Sequence, residues 1–173
     1  MELPVTPTRG SADEARRLFD LPHNSPVVLF ISEHLVSQSP MWQWEQPTEA
    51  DLEAMLRLVL DAAAKTSATV LVKLHPHEAG GGHDWRRVCA DYRVDRWRIV
   101  DMAEKADLFR AVDVAFGLNS MLLIEAARAG VPAYSYHGNA IGRESWLSSI
   151  HPEIRELDGL NGAVAAIRAR LTH

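Results

Sequence analysis

The feature that most constrains the fold is a series of short, almost wholly apolar runs separated by stretches of helical periodicity. Residues 27–31 read VVLFI, residues 69–74 read TVLVKL, and residues 112–116 read VDVAF. Strands that are apolar on both faces must be covered by helices on both sides, as in parallel sheets. The runs therefore predict the buried strands of an α/β protein.

Helical segments complete the alternation. After Thr48, apolar residues recur at three- and four-residue steps and define one helical face; they are Leu52, Met55, Leu56, Val59, Leu60 and Ala63. Further helices are predicted at residues 85–92, 105–111, 121–129 and 162–171, and further strands at residues 98–101 and 132–136. In the closing helix, the apolar side chains that share one side are Val164, Ile167 and Leu171.

Another helix is predicted before the first strand. Ser11 and Glu14 have the spacing of a capping box, in which a helix begins after the serine. Ala15, Leu18 and Phe19 would then form its apolar side. We expect this helix to end near Leu21 and Pro22.

Size and charge exclude several classes of protein. A chain of 173 residues has the usual size of one domain, so we expect a single domain over residues 1–173, with a lead segment and helix in residues 1–25 and the core in residues 26–173. A net charge of −5 argues against nucleic-acid binding. Cys89 is the one cysteine, which excludes an internal disulfide and favours a cytoplasmic setting. No apolar stretch approaches the roughly 20 residues that span a bilayer, so at most peripheral membrane association is expected.

The order of elements predicts where a ligand binds. Alternating strands and helices imply right-handed crossovers and a doubly wound, mainly parallel sheet with helices on both faces. Ligands of such sheets bind beyond the carboxyl ends of the strands, where the strand order reverses. The loops concerned have the sequences SEH at residues 32–34, HPHE at residues 75–78 and GLNS at residues 117–120.

The loop after the fourth strand has the composition of a phosphate site. Gly117 allows a close backbone turn, and Asn119 or Ser120 can cap a helix that begins at Met121. The start of a helix offers unpaired N–H groups and partial positive charge, which suit a phosphate. The alternative is that Asn119 and Ser120 only cap the helix.

Glu125 stands five residues after Ser120, next to the apolar run MLLI. A buried carboxylate needs partners, because unpaired burial of its charge is costly. Glu125 can accept hydrogen bonds from two ribose hydroxyls, or it can pair with Arg128.

Two further loops contain acid–base side chains. His75 can donate a hydrogen bond to a phosphate or act as a general acid or base, or it can simply end its strand. Glu33 and His34 form a candidate acid–base or binding pair after the first strand. A zinc site on His75 and His77 would need further ligands, so we expect no metal.

The KLHPHE string at residues 73–78 is followed some forty residues later by GLNSMLLIEA at residues 117–126 and by AGVP at residues 129–132. This pattern resembles the donor half of GT-B glycosyltransferases from Val27 onward. It is most similar to surface and capsular polysaccharide enzymes and to relatives of UDP-N-acetylglucosamine 2-epimerase. The resemblance implies a Rossmann-like domain that forms half of a GT-B architecture.

The resemblance also implies roles for particular residues. His75 and Ser120 would contact the donor's phosphates, and Glu125 would contact the nucleotide ribose. Gly117, Asn119 and His77 complete the expected binding set, while His75, Glu33 and His34 are the expected catalytic residues. The epimerase pattern has Gly-Gly after its serine, whereas this chain has Met121 and Leu122.

The expected function is that of a nucleotide-sugar binding domain of a glycosyltransferase in surface polysaccharide or glycan biosynthesis. The nucleotide sugar is the substrate, its base is open, and no cofactor is expected. A GT-B enzyme has two Rossmann-like domains, so a second domain or subunit would bind the acceptor and this chain alone would have little activity. Two alternatives are a stand-alone epimerase- or hydrolase-like enzyme using Glu33, His34, His75 and His77, and a non-catalytic interaction module.

Overall fold

The computed structural model describes residues 9–33, 48–78, 84–136 and 146–170. Its strands are β1 (Val27–Ile31), β2 (Thr69–Lys73), β3 (Trp97–Val100), β4 (Val114–Gly117), β5 (Ala133–Ser135) and β6 (Ile154–Glu156). Its helices are α1 (Arg9–Leu18), α2 (Glu49–Thr66), α3 (Trp85–Cys89), α4 (Lys105–Ala111), α5 (Met121–Arg128), α6 (Trp146–Ile150) and α7 (Gly159–Arg168).

The strands form one sheet in the order β3-β2-β1-β4-β5-β6, and every neighbouring pair is parallel. The direction in which strands are added reverses between β1 and β4. This is the doubly wound order in which ligands bind at the reversal point. The predicted α/β fold with a parallel sheet is confirmed.

The sheet is covered on both faces, and β1 shows why its sequence is wholly apolar. Val28 and Phe30 pack into one cluster with side chains of α2, α3 and α7. Val27, Leu29 and Ile31 pack into the other cluster, with side chains of α1, α4 and α5. Because successive residues of a strand point to opposite faces, a central strand between two helical layers has no exposed position.

Helix α2 begins after Thr48, as its sequence predicts. Thr48 caps it, with its hydroxyl accepting the N–H of Asp51 at 3.3 Å while the Asp51 carboxylate accepts the N–H of Thr48 at 2.7 Å. The helix ends at Ser67, which has a φ of 55°. The six apolar residues predicted for its inner face are all buried.

The prediction for α1 was wrong in two respects. The helix begins at Arg9, so Ser11 lies within it and is not its cap. Ala15 is buried as expected, but Leu18 is 64% exposed. The inner side of α1 is set by Ala15 together with Arg16, which donates to the Asp113 carboxylate at 2.7 Å and to the Ala111 carbonyl at 3.1 Å. These long-range bonds fix the rotation of the helix and leave Leu18 outside.

Other differences concern the ends of elements. Strand β4 begins at Val114, two residues later than predicted, and the Asp113 carboxylate just before it accepts the N–H of Val27 at 2.7 Å. Helix α3 stops at Cys89, and α7 begins at Gly159, whereas Leu171 lies outside the described residues. Helix α6 and strand β6 were not predicted. β6 is a three-residue strand with two exposed charged side chains, as suits the edge of a sheet.

Candidate functional site

A cleft of about 500 Å³ lies at the carboxyl edge of the sheet, beside the reversal point between β1 and β4. The loops after β1, β2 and β4 all line it, together with the segment after β3 and the first turns of α5. The predicted site residues that it brings together are Glu33, His75, Asn119, Ser120 and Glu125.

A buried carboxylate holds two of these loops in place. The Glu78 side chain accepts a hydrogen bond from the Ser32 hydroxyl and, at 2.8 Å, from the N–H of His75. Its other oxygen accepts the indole N–H of Trp85 at 3.1 Å. The Ser32 hydroxyl also accepts the N–H of His75 at 3.1 Å. Glu78 therefore connects the loop after β1, the turn after β2 and helix α3.

The His75 ring has a defined orientation. Its Nδ1 accepts the backbone N–H of His77 at 3.2 Å, and the rings of these two histidines contact each other with centroids 5.1 Å apart. When Nδ1 is an acceptor, the proton of the neutral ring is on Nε2. His75 can therefore act as a hydrogen-bond donor through Nε2 at the wall of the cleft.

The Glu33 carboxylate lies against backbone N–H groups of the loop before α5. It accepts the N–H of Asn119 at 2.5 Å, and the backbone groups of Leu118 and Ser120 also stabilise its charged form. We call these three successive N–H groups, of residues 118–120, the nest. Burial of the carboxyl outweighs them and, aided by the nearby charge of Glu78, raises the pKa of Glu33 from 4.5 to about 7.

The start of α5 is capped by its own chain. Ser120 is the N-cap, and its hydroxyl accepts the N–H of Leu122 at 3.2 Å, which confirms the capping prediction. In the same loop, the side-chain oxygen of Asn119 is buried and has no hydrogen-bond partner among the described residues. Such an atom marks a place where a donor group is missing.

Gly117 does not need the backbone freedom that was expected of it. It is the last residue of β4, and its φ lies outside the positive range. A Cβ there would meet the Ile31 Cβ and the Leu123 Cδ2 at 3.6 Å, which is ordinary contact. The turn into α5 therefore does not depend on a glycine, and Gly117 does not line the cleft.

Glu125 lines the cleft and is paired with a lysine. The Lys105 ammonium, at the start of α4, lies 2.9 Å from one Glu125 oxygen and 2.7 Å from the other. The alternative partner considered from the sequence, Arg128, instead lies 3.5 Å from the Glu153 carboxylate. Sequence spacing did not reveal Lys105, because it is twenty residues away and on a different helix.

Lys73 is a second cleft residue to which the sequence analysis gave no role. Its ammonium is buried at the end of β2 and donates to the carbonyls of Leu74, at 2.5 Å, and Asp101, at 2.8 Å. Burial lowers the pKa of Lys73. This side chain ties the segment after β3 to the end of β2.

The remaining predicted site residues, His77 and His34, do not line the cleft or lie outside the described residues. The side chain of His77 does not line the cleft, although its N–H orients His75. His34 lies outside the described residues.

Within residues 9–33, 48–78, 84–136 and 146–170, no group of three or more His, Cys, Asp or Glu side chains could hold a metal. No helix of that part of the chain is long and apolar enough to cross a membrane.

Comparison with known proteins shows the fold and little else. No family model matches the chain, and no curated protein matches it by sequence. Among solved structures, the E. coli ADP-heptose LPS heptosyltransferase II matches with a TM-score of 0.62 and 12% identity, over 97% of this chain and 53% of that one. WaaG, a glycosyltransferase involved in lipopolysaccharide biosynthesis, matches with a TM-score of 0.53 and 12% identity, over 96% of this chain and 43% of that one.

A variant of the wall teichoic acid polymerase TagF matches with a TM-score of 0.54 and 11% identity, over 94% of this chain and 38% of that one. This chain thus spans about half or less of the length of the enzymes that it resembles. It has the Rossmann-like fold that forms half of a GT-B glycosyltransferase, and the predicted architecture is confirmed.

Glu78→Gln tests how firmly the loops are held. Glutamine replaces one carboxylate oxygen with an NH2 group, which would face either the donors of Ser32 and His75 or the donor of Trp85. We therefore expect a loss of about 2–4 kcal/mol in the free energy of unfolding. Urea unfolding measures this loss. Glu53→Gln, which alters a helix-surface ion pair with Arg57, is the control and should cost below about 1 kcal/mol. Equal costs for the two variants would contradict the interpretation.

Glu33→Gln tests the pKa of Glu33. Folding raises this pKa from 4.5 to about 7, so the stability due to this group is complete below pH 4.5 and is lost as the pH rises through 7. Between about pH 5 and 8 the variant should gain up to ~3 kcal/mol relative to the wild type in urea unfolding. Glu153→Gln is the control, since the pKa of Glu153 is lowered and its replacement should show no such gain. A constant difference between wild type and Glu33→Gln across this range would exclude the raised pKa.

Proposed function

We propose that this chain is the donor-binding half of a glycosyltransferase of surface polysaccharide or glycan biosynthesis, and that a nucleotide sugar binds in the cleft. The main support for this proposal is that three polar loops and the start of α5 meet at the point where the strand order of the sheet reverses. This is where doubly wound sheets bind nucleotides. The fold shared with a heptosyltransferase and with WaaG supports the reaction class.

The phosphates of the donor would lie between His75 and the loop before α5. His75 has a donor at Nε2, oriented by the N–H of His77. Asn119 and Ser120 would contribute backbone N–H groups, which together with the partial positive charge of the helix start favour a phosphate. The charge-assisted hydrogen bonds that such a site makes are each worth about 1.5–3 kcal/mol.

The sugar end of the nucleotide would lie against Glu125. Its carboxylate lines the cleft beside α4, and its pairing with Lys105 positions it to accept hydrogen bonds from ribose hydroxyls. Two exposed methionines, Met102 at 76% and Met121 at 66%, also line the cleft. Apolar side chains of this flexible type suit contact with a base or a sugar ring.

The acceptor would be bound elsewhere. The described residues that line the cleft lie at the carboxyl edge of one sheet or on the adjoining helices α4 and α5, and the enzymes of similar fold are about twice as long or longer. We therefore propose that a second domain or subunit binds the acceptor and supplies part of the acid–base chemistry, and that this chain alone has little activity. We propose a cytoplasmic location, with at most peripheral membrane association.

One observation favours a second candidate function, turnover of a sugar nucleotide by the chain alone. A carboxyl group with a pKa of about 7 in the cleft, as for Glu33, is suited to general acid–base catalysis. Release of free sugar or of an epimer from a nucleotide sugar, abolished by Glu33→Gln, would favour this function over the donor-binding half.

Nucleotide binding tests the proposal directly. A thermal-shift panel of ADP, CDP, UDP, GDP, CMP and their sugar conjugates should give a shift with one base family, since a ligand at about 100 times its Kd stabilises the fold by about 2.7 kcal/mol. His75→Ala and Glu125→Gln should each weaken binding of that ligand about tenfold or more, because the first removes a hydrogen bond to a charged phosphate and the second replaces a charged acceptor with a neutral one.

Matched variants separate binding from stability. His23→Ala and Glu153→Gln change a histidine and a glutamate outside the cleft and should leave the Kd unchanged. Ser120→Ala removes the cap of α5 but keeps the backbone N–H offered to the phosphate, so Thr48→Ala, which removes the cap of α2, is its control. Absence of a shift with every nucleotide would reject the donor-binding function and leave the interaction module.

A further inference from the structure

The nest at residues 118–120 is already occupied by an anion of the same chain. The Glu33 carboxylate, brought from the end of β1, accepts the N–H of Asn119 at 2.5 Å and is stabilised by the backbone of Leu118 and Ser120. Successive backbone N–H groups of this kind form anion-binding concavities, and here the helix start adds to their positive potential. The N–H of Leu122, one turn further, is taken by the Ser120 hydroxyl.

The charged form of the Glu33 carboxyl is less stable in the nest than in water. Burial disfavours its charged form more than the nest favours it, which is why the pKa of Glu33 rises to about 7. A phosphate carries more charge and more acceptor oxygens than a carboxylate and would use the same N–H groups. Glu33 and a phosphate therefore compete for one set of donors.

We propose that Glu33 is an internal competitor at the phosphate site, so that a phosphate enters the nest only when the Glu33 side chain leaves it or takes up a proton. This inference rests on the proposed function, because it describes how the proposed nucleotide site is regulated. Binding of a phosphate-bearing ligand is then coupled to proton uptake, and the ligand binds more tightly at lower pH.

The nearby charge of Glu78 acts in the same direction as burial. Glu78, from the turn after β2, raises the pKa of Glu33 further by its own negative charge. His75 and Lys73 line the same cleft from β2, but the Lys73 ammonium is hydrogen-bonded to two carbonyl groups. Lys105 is paired with Glu125 across α4 and α5. In the part of the chain that the structure describes, no ion pair joins the Lys73 or Lys105 ammonium to Glu33, whose pKa of about 7 makes its proton titrate near neutral pH.

Binding of inorganic pyrophosphate tests the competition between Glu33 and a phosphate, whichever nucleotide base the natural ligand has. We expect the ratio of the wild-type Kd to the Kd of Glu33→Gln to rise about tenfold between about pH 6 and 8. Over this range the fraction of Glu33 that is protonated falls from about nine-tenths to about one-tenth. Dividing by the variant removes the titration of pyrophosphate itself. Calorimetry in buffers of different ionisation enthalpy should show proton uptake by the wild type beyond that of the variant.

A measurement on the ligand-free wild type does not depend on the variant. The backbone amide resonance of Asn119 should shift with a midpoint near pH 7, because its N–H is bound to Glu33. The same resonance in Glu33→Gln should not show this titration. An Asn119 amide that is insensitive to pH in the wild type would overturn the inference.

The outcomes separate this inference from the proposed function. If pyrophosphate behaves as expected but no nucleotide binds, the competition stands and the donor-binding function fails. If a nucleotide binds with the same pH dependence in wild type and Glu33→Gln, the function stands and the competition is overturned. If neither ligand binds either protein, both are rejected.

Discussion

The geometry of the cleft depends on one buried carboxylate, that of Glu78. It accepts hydrogen bonds from the Ser32 hydroxyl, the His75 backbone N–H and the Trp85 indole, which belong to three separate elements. An ionised carboxylate without partners is too costly to bury, so these donors must come together when the protein folds. Trp85 is in turn packed edge-on against Phe30, with ring centroids 5.7 Å apart. The position of the site is thereby coupled to the packing of the core.

The same carboxylate affects the charge state of the site. Its negative charge adds to the burial of Glu33, and together they raise the pKa of Glu33 to about 7 in spite of three backbone groups that favour ionisation. Structural support and electrostatic tuning are therefore not separate functions of different residues here. The side chain that holds the loops in place thus also contributes to the raised pKa of the neighbouring Glu33 carboxyl, of which burial is the larger cause.

The fold was predictable because its signals are local. The wholly apolar β1 and the periodic inner face of α2 are each visible in a short window of sequence, and the structure has both. What the sequence could not reveal are pairings over long separations. Lys105 with Glu125 and Arg16 with Asp113 depend on which helices are neighbours in the folded sheet. The glutamate of the HPHE string is indistinguishable, in sequence, from a solvated loop residue, although it is buried. Strand β6 is too short and too polar to give a pattern.

The residues at the start of α5 explain how this site departs from the pattern that it resembles. Where the epimerase pattern has Gly-Gly, Met121 and Leu122 carry bulky side chains, and the N–H of Leu122 is already satisfied by Ser120. A phosphate therefore cannot use the first turn of the helix as closely as glycines would permit. The donors that remain are those of the nest, one step earlier in the chain, and Glu33 occupies them. In the proposed site, the anion would therefore bind in the loop before α5, where Glu33 lies, and not on the first turn of the helix.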